Sequence, residues 1–182
     1  MKRIFLIGYM GVGKTTLGKE LAAKLGYQFI DLDHYIQGRY QKTINEIFAE
    51  LGEPQFREIE SRLLKEVAQF EDIIISTGGG APCFFDNINV MKENGLVIYL
   101  KTAPAMLVKR LYAGRDKRPL IKDKNEEELF DFISEGISKR ESFYKQAQLT
   151  FETDGLVQRS DIGAHVDKLL EILSASFEAS DK

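Results

Sequence analysis

Residues 8–15 read Gly8-Tyr9-Met10-Gly11-Val12-Gly13-Lys14-Thr15, which fits the pattern G-x-x-x-x-G-K-[ST]. The octet follows the apolar run Arg3-Ile4-Phe5-Leu6-Ile7. It precedes a stretch in which Leu17, Leu21, Ala22 and Leu25 recur at helical spacing before Gly26. A strand entering and a helix leaving is the context in which the pattern has a mechanism. Glycines let the backbone curl so that its N–H groups face inward, and the helix start adds the positive end of its dipole, so the loop holds an anion. Lys14 would then bridge the β- and γ-phosphates of a nucleotide and the Thr15 hydroxyl would ligate Mg²⁺. Gly11, Val12, Gly13 and Thr16 complete the expected ATP cradle. The competing reading, a glycine-rich turn with an exposed lysine, needs residue types, spacing and flanking elements all to coincide by chance.

The same alternation continues along the chain. Apolar or β-branched runs at Arg3–Ile7, 28–30, Ile73–Ser76, 97–100 and Leu149–Glu152 read as strands, several with the continuous apolar character of parallel strands covered on both faces. Between them lie amphipathic stretches, one marked by Ile59, Leu63, Val67 and Phe70. Thr43-Ile-Asn-Glu46 and Asn125-Glu-Glu-Glu128 each place a capping side chain three residues before a glutamate. Pro104 suits the first turn of a helix. Strand alternating with helix, without repeats or a low-complexity linker, predicts a three-layer α/β/α sandwich around a parallel sheet. With 182 residues, 43% of them hydrophobic, the chain is expected to form a single domain with a sizeable core. Residues 174–182 read as a frayed tail.

Composition narrows the partners. The formal net charge is −3, which supplies no field for a nucleic-acid backbone or an anionic membrane. Within residues 109–124, however, seven basic residues face two acidic ones, a net +5, so the other 166 residues carry −8. Cys83 is the only cysteine, which excludes an internal disulfide and a thiolate metal cluster and fits a reducing, cytoplasmic compartment. The opening Met-Lys-Arg before an apolar run resembles a signal peptide, but the run breaks at Gly8 and reads better as a buried strand. No segment approaches the roughly 18 apolar residues needed to span a bilayer.

A nucleotide loop does not say what is done with the nucleotide; a small-molecule kinase also needs an acceptor pocket. Asp31-Leu-Asp33 follows the second strand, at the sheet edge where ligands bind in open α/β folds. One carboxylate could hold Mg²⁺ and the other take a proton from a substrate hydroxyl, or either could simply cap the next helix. Arg57 and Glu60, at i and i+3 after Gly52-Glu-Pro-Gln-Phe56, share a helix face, so the acid can orient a guanidinium fork for a carboxylate. A surface salt bridge is the alternative. Gly78-Gly79-Gly80 after the third strand allows close backbone approach to a ligand, or is a plain turn. Arg140 reads as part of the helix after Asn125, with Tyr144 one turn on. The basic stretch, broken by Gly114 and Pro119, reads as a loop able to close over ATP and bring an arginine onto the transferring phosphoryl group. A solvated loop or an RNA patch is the alternative, the latter disfavoured because Tyr112 is the only aromatic in it.

This combination resembles the shikimate kinases. The similarity covers nearly the whole chain: the loop Gly-x-Met-Gly-x-Gly-Lys-Thr, Asp31-Leu-Asp33, Gly52-Glu-x-x-Phe56-Arg57-x-x-Glu60, the triple glycine, Arg118-Pro119-Leu120 and Arg140, in order. It implies the P-loop NTPase fold of the nucleoside-monophosphate kinase group, with a five-stranded parallel sheet in the order 2-3-1-4-5. It also implies transfer of the ATP γ-phosphoryl group to shikimate on the route to chorismate and the aromatic amino acids. By the same resemblance Arg57 and Arg140 would grip the shikimate carboxylate, and Asp33, with the backbone at Gly78, Gly79 and Gly80, would hold its hydroxyls. Asp33 is then the candidate base, Lys14 and Arg118 the phosphoryl stabilisers, Thr15 and Asp31 the Mg²⁺ ligands, and Arg110 the adenine platform. Residues 112–124 correspond to the lid and about 33–62 to the shikimate-binding region. A second adenine contact, within 153–161, matches no motif.

Another small-molecule kinase such as a gluconate kinase shares the acceptor chemistry and is the nearest rival. An adenylate-type kinase fits less well, because Gly13-Lys14-Thr15-Thr16 lacks that group's Gly-Lys-Gly-Thr form. A non-catalytic nucleotide sensor is the reading from a different class. The expected partners are ATP, Mg²⁺ and shikimate, with no nucleic acid, no membrane and a monomeric chain.

Overall fold

The structure, a computed structural model, describes residues 3–156, 158 and 160–180. Five strands, β1 (Arg3–Ile7), β2 (Gln28–Asp31), β3 (Ile73–Ser76), β4 (Leu96–Lys101) and β5 (Leu149–Glu152), pair in parallel in the order β2-β3-β1-β4-β5. The helices are α1 (Lys14–Leu25), α2 (Leu32–Tyr40), α3 (Ile44–Val67), α4 (Asn87–Asn94), α5 (Pro104–Tyr112), α6 (Glu126–Ser138), α7 (Glu141–Tyr144) and α8 (Asp161–Ser180).

β1 explains the layering. Side chains alternate across a strand, and all four residues after Arg3 are buried, so both faces must be covered. Ile4 and Leu6 join one apolar cluster with Leu17 and Leu21 of α1, Leu107 of α5, Leu129 of α6 and Leu169 of α8. Phe5 and Ile7 join the other with Leu32 of α2, Leu64 of α3, Met91 of α4 and Tyr144 of α7. This is the three-layer sandwich and strand order expected. The first two strands after β1 in sequence lie to one side of it and the last two to the other, so winding reverses at β1. The crevice at the carboxyl edge there is where ligands bind in such sheets.

Local signals hold closely. Both capping boxes form, Thr43 with Glu46 and Asn125 with Glu128, each worth about 1 kcal/mol by the usual cost of losing an N-cap. Pro104 opens α5. α3 kinks at Gly52, whose φ of 76° is left-handed, two residues before Pro54; the glycine takes the bend without a Cβ penalty and the proline begins the second segment.

Three expectations need correction. α3 ends at Val67, and Phe70 lies beyond it, 38% exposed. Arg140 is not inside the helix after Asn125: α6 stops at Ser138, and Arg140 is the N-cap residue of the short α7. Residues 174–180 are not frayed but continue α8, where the Ser174 hydroxyl donates back to the Leu170 carbonyl at 2.9 Å. Earlier turns of the helix are anchored by buried Val166, Leu169 and Leu173, and the alanines that follow are strong helix formers, so the helix can run on past its packed part. Met1 and Lys2 of the opening segment, and Asp181 and Lys182 of the tail, lie outside the described residues.

Candidate active site

Positive φ at Gly8, Gly11 and Gly13 winds residues 8–13 into a loop between β1 and α1, whose first turn carries Lys14 and Thr15. Lys14 folds over it, donating from Nζ to the carbonyls of Gly8 and Tyr9 at 2.8 and 2.9 Å. Burial pushes its pKa down to about 8 against the opposing pull of Asp33 and Asp31, because the charged form loses water that two carbonyls only partly replace. The Thr15 hydroxyl donates to Oδ2 of Asp31 at 2.8 Å. Asp31 also caps α2, with Oδ1 accepting from the Asp33 and His34 amides. The capping alternative weighed for this carboxylate is therefore realised on Oδ1, while Oδ2 is turned to Thr15 of the phosphate loop. Among the described residues no group of three or more His, Cys, Asp or Glu could hold a metal. The Thr15–Asp31 pair instead offers hard oxygen donors of the type Mg²⁺ takes when phosphates and water complete its shell.

The opposite flank of the loop is braced from the β4–β5 half of the sheet. Arg110, on α5, donates to the Gly11 carbonyl and the Thr102 hydroxyl, both at 3.3 Å, and to the Thr153 carbonyl. The Thr153 hydroxyl reaches the Val12 carbonyl at 3.1 Å. A cavity of about 580 Å³ opens here, lined among others by Gly13, Thr16, Arg110, Leu156, Gln158 and Ile162. The region that matched no motif thus contributes Leu156 and Gln158 to the wall facing Arg110. Val157 and Arg159 lie outside the described residues.

The acceptor residues converge on the triple glycine. A Cβ at Gly78 would lie 3.0 Å from Asp33 Oδ1 and 3.1 Å from Glu60 Oε1, one at Gly79 3.5 Å from an Arg140 terminal nitrogen, and one at Gly80 2.8 Å from Arg57. Gly78 leaves room for Asp33 and Glu60 and Gly80 for Arg57, whose guanidinium a Cβ there would displace, whereas a Cβ at Gly79 would make ordinary contact. This is close approach, not a flexible turn. Asp33 sits in the first turn of α2, half-buried, and burial with the neighbouring Asp31 raises its pKa while Lys14 and Arg57 oppose the shift. A raised carboxylate is a better proton acceptor near neutral pH than an ordinary aspartate.

Arg57 is fixed on several sides. It bonds Glu60 at 2.7 Å and Glu53 through Nε and a terminal nitrogen at 3.2 and 3.1 Å. Its guanidinium carbon lies 4.3 Å from the Phe84 ring centroid, with Phe56 and Phe48 at 5.2 and 5.8 Å. Glu53 is 57% exposed and Glu60 only 1%. The exposed pair is worth roughly 0–1 kcal/mol, whereas stripping a partner from a buried pair costs about 3–5 kcal/mol, so Glu60 does the orienting. One N–H on each terminal nitrogen is left for a carboxylate. Phe48 and Phe84 were not read from the sequence; a phenylalanine two turns before Phe56 was a signal, but Phe84 arrives only through the fold.

Arg140 stacks over the Tyr9 ring at 5.3 Å, and Tyr144, one turn on, donates its hydroxyl to the Gly79 carbonyl at 2.5 Å. Arg118 is different. It is exposed, and its guanidinium bonds back to Gly114 within its own loop at 3.0 Å; among the described residues it makes no hydrogen bond or ion pair with the phosphate loop. Within the expected lid, Ile121 is fully buried in the cluster containing Leu111 and Leu129.

The shikimate kinase family model matches residues 10–173 of the chain. The chain is 53% identical over 173 residues to the shikimate kinase of Parabacteroides distasonis, covering 95% of this chain and all of that one. Among solved structures it superimposes on a crystal structure of shikimate kinase from Bacteroides thetaiotaomicron with a TM-score of 0.91 and 50% identity, covering 95% of this chain and 98% of that one. It superimposes on shikimate kinase from Acinetobacter baumannii in complex with shikimate with a TM-score of 0.83 and 34% identity, covering 96% and 94%.

Proposed function

The chain belongs to the shikimate kinase family, and on that premise we propose how its residues divide the work of phosphoryl transfer. The enzyme moves the γ-phosphoryl group of ATP to the 3-hydroxyl of shikimate, giving shikimate 3-phosphate and ADP. The gluconate kinase reading gives way to relatives that all bear the shikimate kinase name at about half identity over nearly the full chain.

Arg57 and Arg140 bind the shikimate carboxylate from opposite sides, and Asp33 with the backbone of residues 78–80 holds the ring hydroxyls. Asp33 accepts the proton of the attacking hydroxyl. The new O–P bond forms as the bond from the γ-phosphorus to the β–γ bridging oxygen breaks. Lys14 and, after closure of the 112–124 segment, Arg118 meet the charge on the γ-oxygens, where a fixed cation contributes most. Gly11, Val12, Gly13 and Thr16 cradle the phosphates, and Arg110 faces the adenine with Leu156 opposite. Thr15 and Asp31 would hold Mg²⁺ directly or through water, and the ion would neutralise charge on the β- and γ-phosphates. The chain acts as one kinase unit, with residues 33–62 as its acceptor region, and works as a cytoplasmic monomer without nucleic-acid or membrane partners.

The observation that carries the assignment of roles is the convergence of Asp33, Arg57 and Arg140 on Gly78, Gly79 and Gly80, with Lys14 within electrostatic range of Asp33. The test is ADP release with ATP and Mg²⁺ against shikimate, gluconate and nucleoside monophosphates. Turnover is expected with shikimate alone; turnover with gluconate at a comparable kcat/KM would overturn it.

A further inference from the structure

The two acceptor arginines are held in unlike ways. Arg57 has carboxylates on two sides, whereas Arg140 forms no salt bridge among the described residues. A long side chain beginning between two helices carries substantial rotamer entropy, so something else must hold it. Two tyrosines flank it: Tyr144, one turn on, whose hydroxyl lies within hydrogen-bonding reach of the guanidinium, and Tyr9, an x position of the phosphate loop. The Tyr9 ring is 2% exposed and lies 5.3 Å from the Arg140 guanidinium, while its own carbonyl accepts a hydrogen bond from Lys14 Nζ at 2.9 Å. One residue therefore touches a cation expected on the donor side and a cation expected on the acceptor side.

α6 is shaped around that ring. A Cβ at Gly136 would stand 2.5 Å from the Tyr9 hydroxyl oxygen and 2.8 Å from Cε2. Gly136 lies four residues before Arg140, near the end of the helix that delivers it. An ordinary helix interior disfavours glycine by about 1 kcal/mol against alanine, so the missing methyl group has its use in admitting the tyrosine. The Tyr9–Gly136 contact sets where α6 ends relative to the phosphate loop, and the ring face then fixes the guanidinium. A carboxylate in that place would neutralise Arg140; an aromatic face orients it and leaves its charge for the ligand.

We infer that Tyr9 is a positioning residue for the acceptor, holding Arg140 in register with Lys14 so that the substrate carboxylate is gripped where the hydroxyl meets the phosphoryl group. The inference rests on Arg140 binding the shikimate carboxylate, as proposed above. It is tested with purified full-length variants by measuring kcat and KM for shikimate and for ATP. Tyr9→Leu, which removes the ring face, is expected to raise the shikimate KM about five- to tenfold, the scale of a partly buried cation–π contact. The ATP KM should stay within about twofold, since the loop backbone and Lys14 are retained. Tyr9→Phe, which keeps the ring, should behave as the parent. Gly136→Ala pushes the intact ring aside and should reproduce the rise in shikimate KM; it also decides the matter should Tyr9→Leu not fold. A shikimate KM unchanged in both Tyr9→Leu and Gly136→Ala, or an ATP KM rising in step with it, overturns the inference. Arg140→Ala separates the two levels. If it raises the shikimate KM while the Tyr9 and Gly136 variants do not, only the role of Tyr9 falls; if it leaves the KM unchanged, the reading of Arg140 falls and that of Tyr9 with it.

Discussion

The Thr15 hydroxyl donates a 2.8 Å hydrogen bond to Oδ2 of Asp31, while Oδ1 of the same carboxylate accepts from the first turn of α2. The phosphate loop and the acceptor helix are thereby tied through one side chain. Asp31→Asn keeps a good N-cap but removes the charge, so folding stability should change little. The Mg²⁺ concentration for half-maximal rate should rise about tenfold or more if the carboxylate helps hold the ion. Asp31→Ala should in addition lose about 1 kcal/mol in chemical denaturation. A Mg²⁺ titration of Asp31→Asn that overlays the parent would remove Asp31 from the metal site.

Arg118 rests against Gly114 in its own loop, exposed. A cation that reaches the phosphoryl group only on closure stabilises the transition state more than the ground state. Arg118→Ala should therefore lower kcat by about two powers of ten or more with little change in shikimate affinity. Steady-state kinetics check this, and an unaltered kcat takes Arg118 out of the chemistry.

Burial holds Lys14 at a pKa of about 8, below its ordinary 10.5. In the free enzyme its charge is lost as pH rises through 8, so kcat/KM for ATP should fall above about that pH, whereas bound phosphates restore the proton and move the limb of kcat higher. Between 8 and 10.5 the unfolded chain keeps this proton and the folded one does not, so the Lys14 contribution to stability rises with pH across that window. Lys14→Met should accordingly gain more stability over the parent at pH 7 than at pH 10. Coincident pH limbs for kcat and kcat/KM would contradict the shift.

Glu60 is 1% exposed against Arg57, and burial raises its pKa above 4.5 while Arg57 opposes the rise. Removing the arginine leaves the carboxylate buried and unpaired, so Arg57→Ala should destabilise by about 3–5 kcal/mol at neutral pH and weaken shikimate binding. A raised folded pKa favours the folded state most below 4.5 and loses that advantage as pH climbs through the folded value. The destabilisation should therefore be smaller at pH 5 than at pH 8, and Arg57→Ala combined with Glu60→Gln should recover stability but not shikimate affinity. Melting curves with equal losses at both pH values would count against it.

The phosphate loop was legible because its chemistry is local: residues 8–15 and their flanking elements are one turn of backbone. The strand order followed from resemblance, and β1 confirms the layering through its own alternation, Ile4 and Leu6 against Phe5 and Ile7. Asp33, Arg57, the triple glycine and Arg140 could be named one by one, each with a bland alternative, since a sequence gives residue types without distances. Only the tertiary structure brings Gly80 within a Cβ's reach of Arg57 and Gly78 within that of Asp33 and Glu60, and so sets these side chains around one glycine turn. It also decided what no local pattern encodes. Ile121, within the basic stretch, is buried in the core, α8 runs on past the buried Leu173, and Tyr9 meets Arg140 across 131 positions of chain. Short-range periodicity and capping are written in neighbouring residues, whereas burial and charge pairing depend on which segments the parallel crossovers set side by side.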